Sequence, residues 1–520
     1  TPAARPRSPL RNQKDLPVRQ PSPAVVFPAL LAAAAVATPL AFLLRELVDA
    51  PPEAVARAFS RPGTWIQVLN TLKLTLAVTA SALVLGVSTA FAITRLRLGG
   101  EKLWWLAATL PLAVPSYVAG IAWVDLTPLR GFTGSWLVLV LATTPYVTLP
   151  AAAAFRRADR SYEHVARTLG YGPVRSFATM TLPQIAPAAG AGALLVALYS
   201  IAEFGVVAIM RYSTLTTAVQ QAFSGSFNRS LAVVLSVILV AMALVAVVGE
   251  RIVRRPVVTT RAGDDANAPI VLPGWARAAV SAALAAVFIA AVMVPLTAFL
   301  LRLGLSVAEN EVEWARMFRA AGATLALGFG GAFIATVMAL PISILAARHR
   351  GRVVGSLETV TFLGHGLPGI VIGLSMVYFA LAFAPGLYQT TTLLVIAYGI
   401  MFVPKAMGSA RSAIAQVPTS YEDVARTLGR SPRQVWAEVT AKIAWPGITA
   451  GALIVAVTIM KELPATLMMR PIGTDTLATR LWQLTDIQAY GAAAPYALLL
   501  IAAATIPALA LARSPEGQPR

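Results

Sequence analysis

The amino-acid sequence predicts an all-α membrane protein of about twelve transmembrane helices, arranged in two homologous halves of six. Of its 520 residues, 57% are hydrophobic and 12% are charged, whereas a soluble domain averages about 25% charged residues. Apolar runs of the roughly 18 residues that a helix needs to span a bilayer recur along the chain. A ten-residue segment at 161–170 also recurs at 420–429 with nine identical residues, which indicates an internal duplication.

The predicted spans follow these apolar runs. They lie near residues 24–45, 66–93, 103–125, 135–155, 184–209, 229–250, 275–302, 319–346, 355–384, 391–408, 443–466 and 488–512. The first run follows a basic segment at 1–22, but it is longer than the apolar core of about 7–15 residues in a signal peptide. We therefore expect a tail at 1–22 followed by a first transmembrane helix.

The basic residues sort to one side of the predicted membrane. Segments on that side, including both tails, hold 29 of the 42 Lys and Arg residues, and the segment from Lys405 to Lys442 holds six of them. We expect that side to be cytoplasmic, and an even number of spans then places both termini there. The net charge of +19 does not indicate nucleic-acid binding, because the basic residues lie in short loops. The absence of cysteine excludes disulfides and thiolate metal sites.

The duplication divides the chain into two halves. We expect a first half at 23–250, a cytoplasmic linker at 251–274, a second half at 275–512 and a C-terminal tail at 513–520. Each half begins and ends on the same side, so the repeat is parallel, about an axis along the membrane normal. The segments between spans are too short for a soluble catalytic domain. The chain also lacks the sequence G-x-x-x-x-G-K-[ST], so we expect no phosphate-binding loop.

The duplicated segments predict two helix–turn–helix elbows, the first elbow at 156–183 and the second elbow at 409–442. In each, a short helical stretch ends at a glycine, Gly170 or Gly429, the residue type typical of a helix C-cap. A proline three residues later, Pro173 or Pro432, suits the first turn of a following helix. A single copy is equally consistent with an amphipathic loop at the lipid headgroups. Two near-identical copies favour two equivalent partner sites.

The elbows resemble the coupling-loop motif of bacterial ABC importer permeases, Glu-Ala-Ala-(X)3-Gly-(X)9-Ile-X-Leu-Pro. Ala166 and Gly170 of the first elbow match this motif, and so do Ala425 and Gly429 of the second. The first elbow also carries the Leu-Pro pair, at 182–183, whereas the second reads Ala-Lys at 441–442.

The acid position of the motif departs from the family pattern. It holds His164 in the first elbow and Asp423 in the second, and a glutamate lies one residue earlier in each, at Glu163 and Glu422. The first alanine of the motif is a valine in both copies. The sequence therefore does not decide which acid corresponds in role to the glutamate of the coupling-loop motif.

The resemblance implies a fold like that of a type I ABC importer permease, with elbows that bind two copies of an ATP-binding subunit. The implied coupling residues are Glu163, Ala166, Gly170, Glu422, Ala425 and Gly429. ATP and Mg would belong to the partner subunits, so this chain would bind no cofactor of its own and would not be an enzyme. A periplasmic binding protein would deliver the cargo.

Two further strings resemble the fused iron(III) permeases of this family. They are Ala-Glu-Phe-Gly at 202–205, which leads to Arg-Tyr-Ser-Thr-Leu-Thr-Thr at 211–217, and Met-Lys-Glu-Leu-Pro-Ala-Thr at 460–466. This resemblance implies iron(III) as cargo, a periplasmic iron-binding protein as partner and a place in the bacterial inner membrane. The alternatives are another small solute (thiamine, sulfate, phosphonate or polyamine) or, from another class, an ion-coupled secondary transporter.

Glu203 and Glu462 occupy equivalent positions in the two halves, 259 residues apart. A twofold arrangement would bring them to one depth around a common axis, where they would line the translocation path. Two carboxylates there suit transient contact with a trivalent metal cation, which prefers oxygen ligands. The alternative is a structural ion pair, in the case of Glu462 with its neighbour Lys461. Asp125 and Lys73 are further candidates for such pairs.

The remaining candidates within the spans are a histidine and several prolines. His365 lies in a span interrupted by Gly and Pro and is a third candidate for the path, although a packed histidine is the commoner outcome. Three scattered histidines show no metal-ligand spacing. Pro145 and Pro404 lie on the 259-residue offset and predict equivalent kinks. The absence of arginine from the middle of the spans weighs against an oxyanion cargo.

Overall fold

The computed structural model describes residues 22–253, 269–309 and 312–512. The predicted tails and most of the predicted linker lie outside these ranges. Within them the chain is helical apart from short turns and an isolated β-bridge between Leu96 and Ile270. The predicted all-α class is therefore confirmed.

The two halves repeat one order of helices. In the first half these are α1 Pro23–Asp49, α2 Pro52–Ser60, α3 Pro62–Arg95, α4 Glu101–Thr109, α5 Ser116–Leu126, α6 Gly131–Arg157, α7 Ser161–Thr168, α8 Pro173–Ser176, α9 Leu182–Ala202, α10 Gly205–Ile209, α11 Leu215–Gln220 and α12 Arg229–Val253. In the second half they are α13 Gly274–Phe288, α14 Val294–Ala308, α15 Trp314–Arg348, α16 Arg352–His365, α17 Gly369–Phe383, α18 Thr391–Ala415, α19 Thr419–Thr427, α20 Pro432–Val435, α21 Ala441–Met460, α22 Pro464–Met469, α23 Leu477–Asp486 and α24 Tyr490–Ala512. From α3 and α15 onward the elements correspond one to one.

Nine helical segments of the described chain are long and apolar enough to cross a membrane, or eleven if two sharply bent pairs each count as one span. A shorter apolar stretch at Tyr490–Thr505 corresponds to the twelfth predicted span. The twelve predicted spans thus all fall on helices. The third and the ninth of these spans are not continuous helices but bend by 91° and 103°.

Proline accounts for both breaks. The first bent pair turns between α4 and α5 at Pro115, and the second turns between α16 and α17 at Pro368. Proline lacks an amide hydrogen for the helix ladder and disfavours a helical conformation in the residue before it. Pro145 and Pro404, by contrast, lie inside α6 and α18, which continue through them. The same residue type therefore interrupts two spans and is accommodated in two others.

Close approach of the long helices depends on small residues at equivalent positions. A side chain at Gly192 of α9 would bring its Cβ to 2.5 Å from the carbonyl oxygen of Tyr146 in α6. Gly451 of α21 packs in the same way against Ser409 of α18. Helices in membranes pack through such contacts, since lipid provides little hydrophobic force to bring them together. The packing of each half is therefore duplicated along with its sequence.

The first helix of each half packs against the opposite half. Helix α1 lies on α15, α16 and α17, whereas α13 and α14 contact α4 and α5. Asp125 at the end of α5 pairs with Arg302 of α14, with 2.8 Å between Oδ2 and Nε. The two halves are consequently sequence repeats that share one helical bundle.

Both elbows lie at the same end of this bundle. Arg95, the last residue of α3, lies beside the first elbow, and the next residue, Leu96, forms the bridge with Ile270. From there the chain crosses the bundle through the 35 residues of Gly274–Ala308 and returns through the 35 residues of α15. The last residue of α15, Arg348, binds the second elbow. The segment Gly274–Ala308 and helix α15 have equal lengths and cross the bundle one after the other. The chain therefore returns to the end of the bundle at which the first elbow lies.

Candidate functional site

Each elbow turns at a glycine with a left-handed backbone. Gly170 has a φ of +86°, and Gly429 has a φ of +82°. A side chain in this conformation would be strained. In the first elbow, the N–H of Gly170 donates to the Arg167 carbonyl and the N–H of Tyr171 donates to the Ala166 carbonyl, both at 3.0 Å. The predicted C-caps are confirmed, and they set the angle at which each elbow bends.

Glu422 ties the second elbow to two long helices. It is only 7% exposed, and its Oε1 accepts a hydrogen bond of 2.8 Å from Thr440, in the turn that leads into α21. Arg348 at the end of α15 approaches the same oxygen to 2.8 Å. Arg426 approaches the other oxygen to 3.3 Å. This carboxylate therefore connects the elbow to the end of α15 and to the turn before α21.

Glu163 has the equivalent place in the first elbow. Its Oε1 accepts a hydrogen bond from Thr181, in the turn that leads into α9. Arg95 is buried at the end of α3, near enough to interact with the Glu163 charge. The two glutamates therefore face inward, whereas His164 and Asp423, at the acid position of the motif, are exposed. The glutamates position the elbow, and Ala166 and Ala425 pack beneath it.

Asp159 fixes the start of the first elbow. Its Oδ1 accepts hydrogen bonds from the backbone N–H of Ser161 at 2.8 Å and from the Ser161 hydroxyl at 2.7 Å. These bonds favour the charged carboxylate and lower the pKa of Asp159 below its ordinary value. The first residue of α7 is thereby held in place at neutral pH.

The outer surface of each elbow presents three apolar side chains. Tyr162 and Val165 lie on one face of α7 at helical spacing, and Leu169 follows its last residue. Their identical counterparts in the second elbow are Tyr421, Val424 and Leu428. All six are between 46% and 76% exposed. We call each set of three a docking face, since exposed apolar patches on charged surroundings are typical of protein contacts.

The docking faces are candidate functional residues that sequence reasoning missed. The motif directs attention to Glu163, Ala166 and Gly170, which form the interior and the turn of the elbow. A signal for the faces exists in the sequence, because three identical apolar residues at i, i+3 and i+7 recur in both copies. The sequence does not show which side of the helix is exposed. The structure shows it, because Ala166 is buried whereas the three apolar side chains are exposed.

The duplication places two buried carboxylates, Glu203 and Glu462, at equivalent positions. They lie at the ends of α9 and α21 that are remote from the elbows. Glu203 is 8% exposed and follows the last residue of α9. Its Oε1 accepts a hydrogen bond of 2.9 Å from the N–H of Val206, and its Oε2 accepts one of 3.1 Å from the Ser116 hydroxyl. Glu203 thus caps the start of α10, at a break between helices rather than within the predicted continuous span at 184–209.

Glu462 makes the equivalent bonds in the second half. It is 9% exposed, and its Oε1 accepts a hydrogen bond of 3.2 Å from the N–H of Ala465, at the start of α22. The Thr466 hydroxyl donates to Oε2 at 3.2 Å. Gly369 occupies the place of Ser116 beside it, and a Cβ there would lie 2.5 Å from Oε1. The predicted span at 443–466 is likewise broken at this carboxylate.

Tyr117 of α5 lies near both carboxylates. The charges of Glu203 and Glu462 both act on its hydroxyl, which is buried and has no hydrogen-bond partner among the described residues. That the two glutamates lie at one depth around a common axis stays a prediction. The sequence contains no signal for Tyr117, because its counterpart in the second half is Ile370.

The predicted ion pairs are not the ones that form. Lys461 does not pair with Glu462 within the part of the chain described: its Nζ donates instead to the carbonyl of Leu112, in the other half, at 3.1 Å. Asp125 pairs with Arg302, and Lys73 lies 4.7 Å from the centre of the Phe132 ring. The ion-pair alternative for Glu462 is therefore wrong, since adjacent residues at a helix break point to different neighbours.

A second lysine also departs from its predicted place. Lys405, which the charge pattern assigns to a polar segment between spans, lies inside α18. Its Nζ donates to the Thr458 hydroxyl of α21 at 2.7 Å. Insertion scales put the cost of a charged residue at the centre of a membrane helix at about 2.5–3.5 kcal/mol. Residues that are retained at this cost are candidates for function.

The described residues contain no group of three or more His, Cys, Asp or Glu side chains that could hold a metal ion. Glu203 and Glu462, each engaged in capping a helix, therefore do not make a resident metal centre on their own. Transient contact with a passing cation stays a prediction. His365 ends α16 at the second break, and its side chain lies outside the described residues.

The family of binding-protein-dependent transport system inner membrane components matches the chain over residues 82–258 and 339–513. Each match contains one elbow and one of the two capping carboxylates. The chain belongs to this family. It is therefore a multi-pass inner-membrane transport component, and the duplicated elbow is a feature of two family domains within one polypeptide.

Known proteins similar to this permease include an iron transporter and an oxyanion transporter. The Fe(3+)-transport system permease protein FbpB 2 of Haemophilus influenzae is 33% identical over 457 residues, which are 87% of this chain and 90% of that protein. The sulfate transport system permease protein CysT of Escherichia coli is 31% identical over 140 residues, 24% of this chain and 50% of that protein. The inward-facing methionine ABC transporter MetNI matches in structure with a TM-score of 0.32 and 20% identity, over 37% of this chain and 92% of that chain.

Proposed function

We propose that this permease is the fused transmembrane subunit of an ATP-driven importer of iron(III), with both termini in the cytoplasm. The observation that carries the proposal is the pair of identical docking faces at one end of the bundle, which suits two copies of one ATP-binding subunit. Similarity to an iron(III) permease over 87% of the chain supports the choice of cargo. ATP and Mg belong to the partner subunits, and this chain performs no catalysis itself.

The elbows would convert movement of the ATP-binding subunits into movement of helices. Each docking face would contact a subunit. Each inward glutamate bonds to the turn before α9 or α21, and Glu422 also pairs with the end of α15. Closure of the two subunits around ATP would bring the elbows together. The rigid connection at Glu422 would pass this displacement to the far ends of α21 and α15.

The far end of α9 and α21 is where cargo would cross. A periplasmic iron-binding protein would release the ion at the end of the bundle opposite the elbows. Glu203 and Glu462 would offer oxygen ligands to a hard cation, on condition that each gives up its hydrogen bonds to α10 or α22. His365 at the second helix break is a further candidate for this path.

The proposal is tested by reconstituting the permease with its ATP-binding subunits and binding protein in proteoliposomes. Iron(III) is expected to stimulate ATP hydrolysis and to accumulate inside, whereas thiamine, sulfate, phosphonate and polyamine are expected to have no effect. The paired change of Glu203→Gln and Glu462→Gln should lower iron uptake while the subunits still assemble, since glutamine keeps a cap acceptor but loses the charge. Stimulation by another solute in place of iron would overturn the choice of cargo.

Two other functions are distinguished in the same preparation. The match with a sulfate permease over 140 residues and the lysines within the bundle favour an oxyanion importer as the second candidate, which radiolabelled sulfate uptake would reveal. An ion-coupled secondary transporter would not require the docking faces. Failure of any ATP-binding subunit to co-purify from the native membrane, together with uptake that needs no ATP, would support that function and overturn ours.

A further inference from the structure

Two lysines of the second half lie inside the bundle without an acidic partner. Lys405 uses one of its three N–H donors for Thr458, and Lys461 uses one for the carbonyl of Leu112. No described carboxylate lies within ion-pair distance of either amine. Buried charges in proteins are otherwise paired with an opposite charge or with a ligand. Four N–H donors and two positive charges therefore remain to be satisfied.

Both lysines lie near the last turn of α21. Thr458, which holds Lys405, lies in that turn, and the backbone N–H of Lys461 donates to the Thr458 carbonyl at 3.3 Å. The charges of the two lysines act on one another. Both side chains are half-buried. A ligand of opposite charge placed between the two amines would interact with both.

This arrangement exists in one half only. The positions equivalent to Lys405 and Thr458 hold Tyr146 and Tyr199, whose ring centres lie 5.9 Å apart, and the position equivalent to Lys461 holds Ala202. The duplication otherwise preserves the elbow, the capping carboxylate and the packing glycine. A charged pair confined to one side of the pseudo-twofold axis would bind one ligand per molecule.

We propose that Lys405 and Lys461 form a binding site for a small oxyanion that crosses the membrane as a ligand of the ferric ion. The inference rests on the proposed iron cargo. Two uncompensated ammonium groups repel a trivalent cation that lacks anionic ligands, whereas an oxyanion satisfies their free donors and also supplies the oxygen ligands that ferric iron prefers. Glu462, the next residue after Lys461, bonds to different neighbours at the same break and its charge acts on Tyr117; the metal face of such a complex would lie on that side.

The site is tested by binding and by transport, with inorganic phosphate in one arm and citrate in the other. Equilibrium dialysis of labelled anion against the purified transporter measures binding, and uptake of 55Fe together with labelled anion into proteoliposomes measures transport. Lys405→Gln and Lys461→Gln are each expected to weaken anion binding about tenfold, the loss of one charge-assisted hydrogen bond. Both should lower iron uptake in proportion. Lys461→Arg should keep most of the binding.

The control is Lys73→Gln, which removes one positive charge from an exposed side chain over Phe132 and should leave binding and uptake unchanged. Co-purification of the ATP-binding subunits shows that each variant is folded. The arm in which anion and iron enter together identifies the oxyanion as phosphate or as a carboxylate.

The outcomes separate this site from the proposed function. Iron uptake that needs no anion and is unchanged in both glutamine variants overturns the site but leaves the iron importer intact. Anion uptake in the absence of iron supports the site and overturns the iron cargo. Variants that lose stability but bind phosphate and citrate as tightly as the parent protein show that the lysines only tether α21 to its neighbours.

Discussion

Replacing Glu422 by alanine should detach the second elbow from the helices that carry it. The lost carboxylate is 7% exposed and lies 2.8 Å from both Arg348 and Thr440. Removal of one partner of a buried ion pair costs about 3–5 kcal/mol, because the other charge is left uncompensated. Arg426, with 37% of its side chain exposed, adds only about 0–1 kcal/mol. We therefore expect a loss of about 3–4 kcal/mol in the free energy of unfolding.

A graded series measures this effect. Thr440→Val removes a single hydrogen bond and should cost about 1 kcal/mol. Asp423→Asn, at the neighbouring exposed acid, should stay within about 0.5 kcal/mol of the parent protein. Thermal unfolding in detergent ranks the three variants. Transport in proteoliposomes should fall in the same order, while the ATP-binding subunits still co-purify because the docking faces are unchanged.

The result that would refute this reasoning is a Glu422→Ala variant that matches Asp423→Asn in both unfolding and transport. Loss of the ATP-binding subunits with unchanged thermal stability would also contradict it. That outcome would mean that Glu422 contacts the partner, as the motif alone suggests, and does not hold the elbow in position.

Further predictions concern the docking faces, a packing glycine and the pair between the halves. Val165→Asp combined with Val424→Asp should abolish co-purification of the ATP-binding subunits without lowering the unfolding temperature, because both valines are more than half exposed. Gly192→Ala should destabilise the protein by about 1–3 kcal/mol through overpacking against the backbone of α6, whereas Gly190→Ala, with nothing within 4 Å of its Cβ, should be harmless in the same thermal assay. Asp125→Asn should cost about 1.5–3 kcal/mol by weakening its bond to Arg302, and an unchanged unfolding temperature would show that this pair does not hold the halves together.

The span positions and the elbow turns could be predicted because they depend on local properties. An apolar run of sufficient length forms a helix in lipid wherever it occurs, and glycine at 170 and 429 favours the left-handed C-cap without reference to any distant residue. The duplication also predicted that Glu203 and Glu462 occupy equivalent positions in the two halves. Each of these inferences needed only neighbours in the chain or a comparison of the chain with itself.

Which prolines break a span, and which partners the charged residues take, could not be predicted in this way. Pro115 and Pro145 have the same local chemistry, yet only Pro115 interrupts a span, because the helices packed around each site decide whether the freed carbonyls find other donors. The Leu112 carbonyl, next to the first break, is satisfied by Lys461 from the other half, 349 residues away. No local pattern could have shown that contact, and the adjacent Glu462 was the more obvious partner.

The sequence by itself thus determined that the chain is a duplicated bundle of membrane helices with two matching elbows, since hydrophobicity and repetition are properties of the chain. Only the tertiary structure decided what the charged residues do. Glu163 and Glu422 face inward, and Glu203 and Glu462 cap helices at two breaks. Lys405 and Lys461 lie near the last turn of α21 with no acidic partner in the part of the chain that the structure describes. The physical reason is that in a low-dielectric interior the free energy of a charge depends on the groups brought within a few ångströms of it, and those groups come from distant parts of the chain.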